Sequence, residues 1–313
     1  MTSEFDLIRR HFTRSTPSAL LGVGDDAALL RVNEGKVLAV SSDMLVCGTH
    51  FFADADPYLL GHKTLAVNLS DMAAMGAVPR WATLALALPR ADEAWLERFS
   101  AGFFALADEH RVELVGGDTT RGPLNLSVTI MGEVEASLAL RRGGAKAGDE
   151  IWVSGRLGDA ALALAHMQGR IVLSEDELVA CSDALNRPVP RVALGQTLLG
   201  IASSAIDISD GLLADLGHVL AASKVGAEID LKSIPVSAVL QKYLDEPTVR
   251  RCALAGGDDY ELCFTAPVSH REDVLRVGKT FPVTCIGRII AGSAVRDEQG
   301  RPVLQSGGYD HFG

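Results

Sequence analysis

The sequence predicts two domains of mixed α+β / α/β structure, an N-terminal sheet domain and a C-terminal α/β domain, and three observations lead to that expectation. The length of 313 residues exceeds one comfortable core, which usually takes roughly 100–200 residues. Short apolar strand-like runs alternate with longer helix-period segments along the chain. A basic, glycine-rich stretch, RRGGAKAGDE (141–150), separates the apolar run LSVTIMGEV (126–134) from the new strand-like start IWVSG (151–155). With Gly148 as the boundary, the domains are expected at residues 1–140 and 149–313.

In the first half, strands are expected at residues 37–41, 81–88, 114–115 and 126–134, interleaved with helices at 57–75 and 93–110. In the second, a strand at 151–154 leads through the turn-forming RLGD into a helix at 158–167. Helices at 175–185, 189–199 and 211–222 follow, with later strands at 227–230, 261–264 and 284–288. No low-complexity tract or short repeat interrupts the pattern.

Composition narrows the function classes. A hydrophobic fraction of 48% rules out the polar bias of a disordered chain and gives enough apolar material for a sizeable core. The net charge of −11 argues against nucleic acid, whose backbone is bound by clustered Lys and Arg. An anionic ligand stays open, because carboxylates hold Mg²⁺ and the metal then meets the phosphate. The five cysteines contain no CxxC pair, so neither a disulfide framework nor a zinc site is expected, and a reducing compartment fits. The start, MTSEFDLIRRHF, has no apolar leader core, and the apolar stretch at 81–88 is far below the ~20 residues of a membrane span. The chain is read as cytoplasmic, with no membrane partner.

Six acidic clusters carry the chemistry. Asp26 closes GVGDD (22–26), and Ser41, Ser42 and Asp43 follow the apolar run VLAV; each alone reads most simply as a turn, since Asp bonds its own backbone and Gly tolerates positive φ. Asn68 and Asp71 lie three apart, on one otherwise apolar helix face, where polar groups cost desolvation energy unless a partner is present. That partner is either a metal or a set of backbone amides. In VELVGGDTTRG the glycines let the backbone approach a phosphate, Asp118 can ligate Mg²⁺, and Thr119, Thr120 and Arg121 offer donors. Asp207 and Asp210 flank Ser209 just before a helix whose N-terminus favours anions, with Asp210 or Ser209 as a plain N-cap being the equally weighted alternative. The last cluster, GGDDYE (256–261), carries more carboxylates than a turn needs.

All six are expected at the ends of apolar segments, where strand termini of α/β folds present ligands. Oxygen donors without Cys or clustered His select a hard cation, Mg²⁺ before Mn²⁺, and several ions. The scattered histidines His62, His166 and His218 read as structural or surface residues. No P-loop, protein-kinase signature or GxSxG elbow is present. Metal ions, donors and in-line positioning are nevertheless sufficient for phosphoryl transfer.

Read together, GVGDD (22–26), SSDMLV (41–46), AVNLSDMAAMGA (66–77), GGDTTRGP (116–123), AIDISDGL (205–212), GGDDYELCF (256–264) and GYDHF (308–312) resemble the thiamine-phosphate kinase family, collinearly over nearly the whole chain. The resemblance implies the two-domain fold shared with aminoimidazole ribonucleotide synthetase, a homodimer paired through its N-terminal sheets, and a C-terminal domain that completes the active-site cleft. It implies ATP-dependent phosphorylation of thiamine monophosphate to thiamine diphosphate. It assigns Asp26, Ser41, Ser42, Asp43, Asp71, Asp118, Asp207 and Asp210 to metal; Gly117, Asp118, Arg142 and Ser209 to ATP; and His50, Asp258 and Tyr309 to the thiamine substrate. Lys146 joins Arg142 as a neutraliser of phosphate charge.

Two positions depart from the family pattern: Ser42 stands where many relatives have Thr, and Asp258 where many have Glu, which keeps the charge and shortens the reach. No catalytic base is expected, because the acceptor is itself a phosphate with a second pKa of about 6. The alternatives are a sister ATP-dependent synthetase of the same fold, a metal-dependent phosphatase, and a non-catalytic thiamine-phosphate or nucleotide sensor. Against the sister enzymes, the sequence has no C-terminal cysteine and no Cys ahead of its first acidic motif.

Overall fold

In the computed structural model, which describes residues 4–303, the chain divides into two compact units, one running to Ser137 and the other from Leu138, with Ala73–Gly76 counted in the second. The basic, glycine-rich stretch at 141–148 therefore belongs to the second unit.

The first unit contains α1 (Glu4–His11), β1 (Val37–Val46), α2 (Pro57–Ala74), β2 (Val78–Leu88), α3 (Glu93–His110), β3 (Glu113–Arg121) and β4 (Asn125–Val134). Its four-stranded sheet has the order β1-β4-β2-β3. Only β2 and β3 run parallel, and α3 makes their crossover, as a parallel pair requires. Asp92 starts α3 by accepting a hydrogen bond from the Trp95 amide at 3.1 Å, and Arg111 ends it in the left-handed conformation at φ 55°.

Strand alternation turns Leu84, Leu86, Leu126, Val128 and Ile130 inward, and α2 and α3 supply Leu65, Leu69, Met72, Leu96, Phe99 and Phe103 to the same buried core. Each such side chain contributes about 1.5–3 kcal/mol on burial. The two helices approach backbone to backbone through a glycine notch. A Cβ on Gly61 would lie 2.0 Å from the Phe99 carbonyl oxygen, and one on Gly102 would lie 1.9 Å from that of Tyr58. On the other face of the sheet, Val40 and Met44 of β1 are 57% and 54% exposed.

Of the strands that extend beyond the sequence prediction, two take in motif residues. β1 continues through Ser41–Asp43 to Val46, and β3 through Gly116–Gly117–Asp118 to Arg121. Ser, Asp and Gly are weak strand formers on their own, but β4 pairs with β1 along its whole length and β2 pairs with β3, and that tertiary pairing overrides propensity. Ser41, Ser42, Asp43, Gly117 and Asp118 thus stand inside strands, not beyond strand ends as expected.

The second unit contains β5 (Glu150–Ser154), α4 (Asp159–Met167), α5 (Glu175–Asn186), α6 (Val192–Thr197), β6 (Ser204–Ile208), α7 (Leu212–Ser223), β7 (Gly226–Ile229), α8 (Ala238–Lys242), α9 (Pro247–Ala255), β8 (Glu261–Ala266), α10 (Arg271–Val277), β9 (Val283–Ile290) and β10 (Val295–Asp297). Its six-stranded sheet has the order β10-β7-β9-β5-β8-β6 and is antiparallel except for the β10–β7 pair. One core cluster joins this sheet to α7 through Ile151, Val153, Ile206, Ile208, Leu216 and Val219. A second packs α4, α5 and α9 through Leu162, Cys181, Leu185, Val249 and Cys252. All five cysteines are free thiols. Among the described residues no helix is long and apolar enough to cross a membrane.

Candidate functional site

In the first unit the structure brings Ser41, Asp43, Asn68 and Asp71 together. β1 presents Ser41 and Asp43 from one face, two residues apart, and α2 presents Asn68 and Asp71 from one helix face. The Ser41 hydroxyl donates to Asp71 Oδ2 at 2.5 Å, and the Asp43 amide donates to Asn68 Oδ1 at 3.2 Å. Asn68 is 1% exposed and donates its Nδ2 to the Thr64 carbonyl at 3.1 Å, which fixes the amide for its contact with β1. Burial, and then the facing Asp71 carboxylate, push the Asp43 carboxyl up to about 7.

Two half-buried carboxylates that resist being charged together are a poor structural pair and a good seat for a divalent cation. Oxygen donors alone make it a hard-cation seat, so these residues fit Mg²⁺. Asp71 thus has a side-chain donor in Ser41 and is not satisfied by backbone amides alone.

The other expected residues of this unit sit on β1, β3 and the loops beside them. Asp26 is exposed in the loop before β1, its amide on Asp25 Oδ1 at 2.9 Å. The Ser42 hydroxyl points to the opposite face of β1 and shares a 2.5 Å hydrogen bond with Thr129 of β4. Asp118 is exposed on β3 opposite Ala85. Gly117 precedes it with φ +151°, and a Cβ there would lie 1.9 Å from the Leu84 carbonyl oxygen. A register shift between Ala82 and Thr83 skips Val115, which is how β3 is re-aimed just before Gly117. The register puts Asp43, Val128, Leu84 and Gly117 in one row across the sheet. His50, in the turn after β1, accepts the Val46 amide on Nδ1 at 3.0 Å. Among the described residues, no three His, Cys, Asp or Glu side chains form a group ready to hold a metal.

In the second unit Asp207 is buried at the end of β6, with Ser209 and Asp210 in the turn that follows. Neither Ser209 nor Asp210 is the N-cap of α7. That position is Gly211, without a side-chain cap, and the turn is held by Asp215, whose Oδ2 accepts the amides of Ser209, Asp210 and Gly211 at 3.0, 3.0 and 3.1 Å. Burial raises the Asp215 carboxyl to about 6 against the pull of those amides. Asp215 was missed in the sequence, although an Asp four residues after SDG is the readable signal. Arg142 is exposed, and its carbonyl accepts the Ser223 hydroxyl at 3.3 Å; Lys146 is exposed in the same segment.

The GGDDYE cluster divides its labour. Asp259 accepts the Gly158 amide on both oxygens, at 2.8 and 3.1 Å, and burial holds its carboxyl well above the ordinary range. Glu261 receives the Arg191 guanidinium through Nε at 2.7 Å and through its second nitrogen at 2.5 Å, together with the Ser154 hydroxyl at 2.5 Å. These two carboxylates are structural, and Asp258 Oδ1 accepts the Tyr260 hydroxyl at 3.0 Å. Tyr309 and the motif at 308–312 lie outside the described residues.

With this geometry established, likeness to known proteins is informative. The family model described as AIR synthase related protein, N-terminal domain, matches residues 24–134, and the one described as AIR synthase related protein, C-terminal domain, matches residues 146–298. The thiamine-monophosphate kinase of Escherichia coli (strain K12) is 49% identical over 323 residues, covering 99% of this chain and 98% of its own length. The solved thiamine-monophosphate kinase of Stenotrophomonas maltophilia K279a is 50% identical with a TM-score of 0.86, covering 91% of this chain and 92% of its own. AaThiL complexed with AMPPCP and TMP is 31% identical with a TM-score of 0.80, covering 98% of this chain and 96% of its own.

Proposed function

Because the chain belongs to the thiamine-monophosphate kinase family, we propose that it transfers the γ-phosphoryl group of ATP in line and directly onto thiamine monophosphate, with several Mg²⁺ ions, giving thiamine diphosphate and ADP. The AaThiL complex, which holds an ATP analogue together with TMP, supports both substrates. The observation that carries the proposal within this chain is the Asp43–Asp71 pair, two half-buried carboxylates on facing elements, with burial first and the Asp71 charge second pushing the Asp43 carboxyl up to about 7.

Asp43, Asp71 and Ser41 would hold Mg²⁺ in this reading, and Asp26, Asp118, Asp207 and Asp210 complete the metal set on the strength of the family motifs, with Ser42 joining through its carbonyl because its hydroxyl faces Thr129. When bound, Mg²⁺ would supply positive charge that offsets the negative charge of the phosphates. Gly117 and Ser209 bring backbone close to ATP, and Arg142 and Lys146 offset its negative charge. His50, Asp258 and Tyr309 take the thiamine monophosphate. None of them serves as a general base, since the attacking phosphate oxygen is already unprotonated near neutral pH, with its second pKa of about 6.

The first unit carries the dimer surface in the proposal. Val40 and Met44, exposed on the outer face of β1, suit a second copy of the same sheet. The free thiols favour the cytoplasm. A coupled assay for ADP tests the activity, with thiamine and aminoimidazole-pathway substrates as controls. ADP formation dependent on thiamine monophosphate is expected; phosphate release from thiamine monophosphate without ATP would overturn the kinase reading.

A further inference from the structure

Four non-glycine residues among those described have positive φ. Arg111 and Lys224 have an ordinary reason, since each caps the C-terminus of a helix. The other two, Asp258 at 69° and Tyr260 at 49°, flank Asp259 within one loop and cap nothing. Such conformations persist only where the surroundings over-determine them. Here the Asp258 amide donates to the Ser209 carbonyl at 2.9 Å, the Tyr260 amide to the Ile208 carbonyl at 2.8 Å, and the Asp259 carboxylate takes the Gly158 amide. Gly257 admits no side chain, since a Cβ would lie 2.5 Å from the Ser209 oxygen. The Tyr260 ring is buried at 8% exposure, and its hydroxyl donates to Asp258 Oδ1 at 3.0 Å.

We propose that Tyr260 is the positioning residue for Asp258: its hydroxyl, carried on a fixed ring, together with the left-handed loop, sets the direction of the Asp258 carboxylate toward the cationic thiamine moiety. The proposal rests on the reading that Asp258 faces thiamine monophosphate. An Asp is one methylene shorter than a Glu, so it makes the contact only if the backbone and a neighbouring donor aim it. The Tyr260 hydroxyl on Oδ1 fixes the orientation of the carboxylate.

The test is steady-state kinetics of Tyr260→Phe, Asp258→Asn and the double variant, varying thiamine monophosphate and ATP separately. Asp258→Asn is expected to raise the KM for thiamine monophosphate on the order of tenfold or more, as loss of a hydrogen bond to a charged group does. Tyr260→Phe, which keeps the buried ring, should raise that KM about threefold to tenfold, with kcat, the KM for ATP and the thermal midpoint near wild type. The double variant should be no worse than Asp258→Asn.

An unchanged KM in Tyr260→Phe beside a raised one in Asp258→Asn overturns the positioning role. So do independent, multiplying effects in the double variant, or losses spread equally over kcat and both KM values. An unchanged Asp258→Asn overturns the underlying assignment of Asp258, and that failure is visible in the single variant alone.

Discussion

Replacing Gly117 with Ala tests whether the β2–β3 approach fixes the strand that bears Asp118. The added Cβ would sit 1.9 Å from the Leu84 carbonyl oxygen, 2.7 Å from its carbon and 2.9 Å from the Leu84 nitrogen. Ordinary contact needs about 3.5 Å, and the obstructing atoms are backbone, so no side-chain rotation relieves the clash. β3 must instead withdraw from β2 over several residues. Overpacking costs about 1–3 kcal/mol, one or two weakened ladder bonds add about 1 kcal/mol each, and the unfavourable φ adds about 1–3 kcal/mol.

A loss of at least about 3 kcal/mol is a large share of the 5–15 kcal/mol (roughly) that holds a domain folded, and corresponds to a fall of about 10 °C in thermal midpoint. Differential scanning calorimetry of Gly117→Ala beside Gly116→Ala gives an internal control. A Cβ at Gly116 meets nothing nearer than Thr83 Cγ2 at 3.7 Å, so Gly116→Ala should stay close to wild type. The steric reasoning is refuted if the two variants melt within about 2 °C of each other.

Asp71→Asn should lower turnover by at least about 100-fold at millimolar Mg²⁺ and abolish the Mg²⁺-induced rise in thermal midpoint, which EDTA should remove from the wild type; near-wild-type activity would refute the metal assignment. Glu133, 4% exposed, accepts the Asn33 amide, Asn33 Nδ2 and Arg80 Nε; burial pushes its carboxyl up, but these donors outweigh burial and leave it below its ordinary 4.5. A depressed folded pKa stabilises fully above the unfolded value and loses its effect as pH falls through the folded one. The gap in urea midpoint between wild type and Glu133→Gln should therefore be level above about pH 5 and narrow as pH falls below it, and a gap independent of pH would contradict the linkage. Arg191→Met should destabilise the second unit by roughly 3 kcal/mol, by leaving Glu261 buried without its fork, and Arg191→Lys by less; equal effects within about 0.5 kcal/mol would show that the bidentate geometry is immaterial.

Long periodic elements were legible in the sequence. The helix expected at 93–110 coincides with α3, whose Asp92 cap marks its start, and the one expected at 57–75 coincides with α2 to within a residue. The short strands expected at 151–154, 227–230 and 261–264 form as β5, β7 and β8, but other short elements were not legible. β6 was hidden because SAIDI carries an Asp among its few residues, and α8, α9 and α10 are too brief for a helical period to stand out. The helix expected at 189–199 forms only as α6, at Val192–Thr197.

For the site, the Asn68/Asp71 spacing correctly put both side chains on one helix face, where they meet Ser41 and Asp43. What stayed illegible was which carboxylates are spoken for: Asp259 bonds the Gly158 amide and Glu261 bonds Arg191, partners that only tertiary pairing brings near, whereas Asp215 holds amides four to six residues away in the chain.

The glycine notch between α2 and α3 acts on chemistry it never touches. Asp71 lies ten residues beyond Gly61 along α2, a lever arm of about 15 Å at the usual helical rise. A wedge at the notch that tilted the helix by about 5° would swing the carboxylate by more than about 1 Å, enough to spoil a metal–oxygen distance that tolerates only tenths of an ångström. Two hydrogen atoms, in place of two methyl groups, set the alignment of the proposed cation seat three helical turns away.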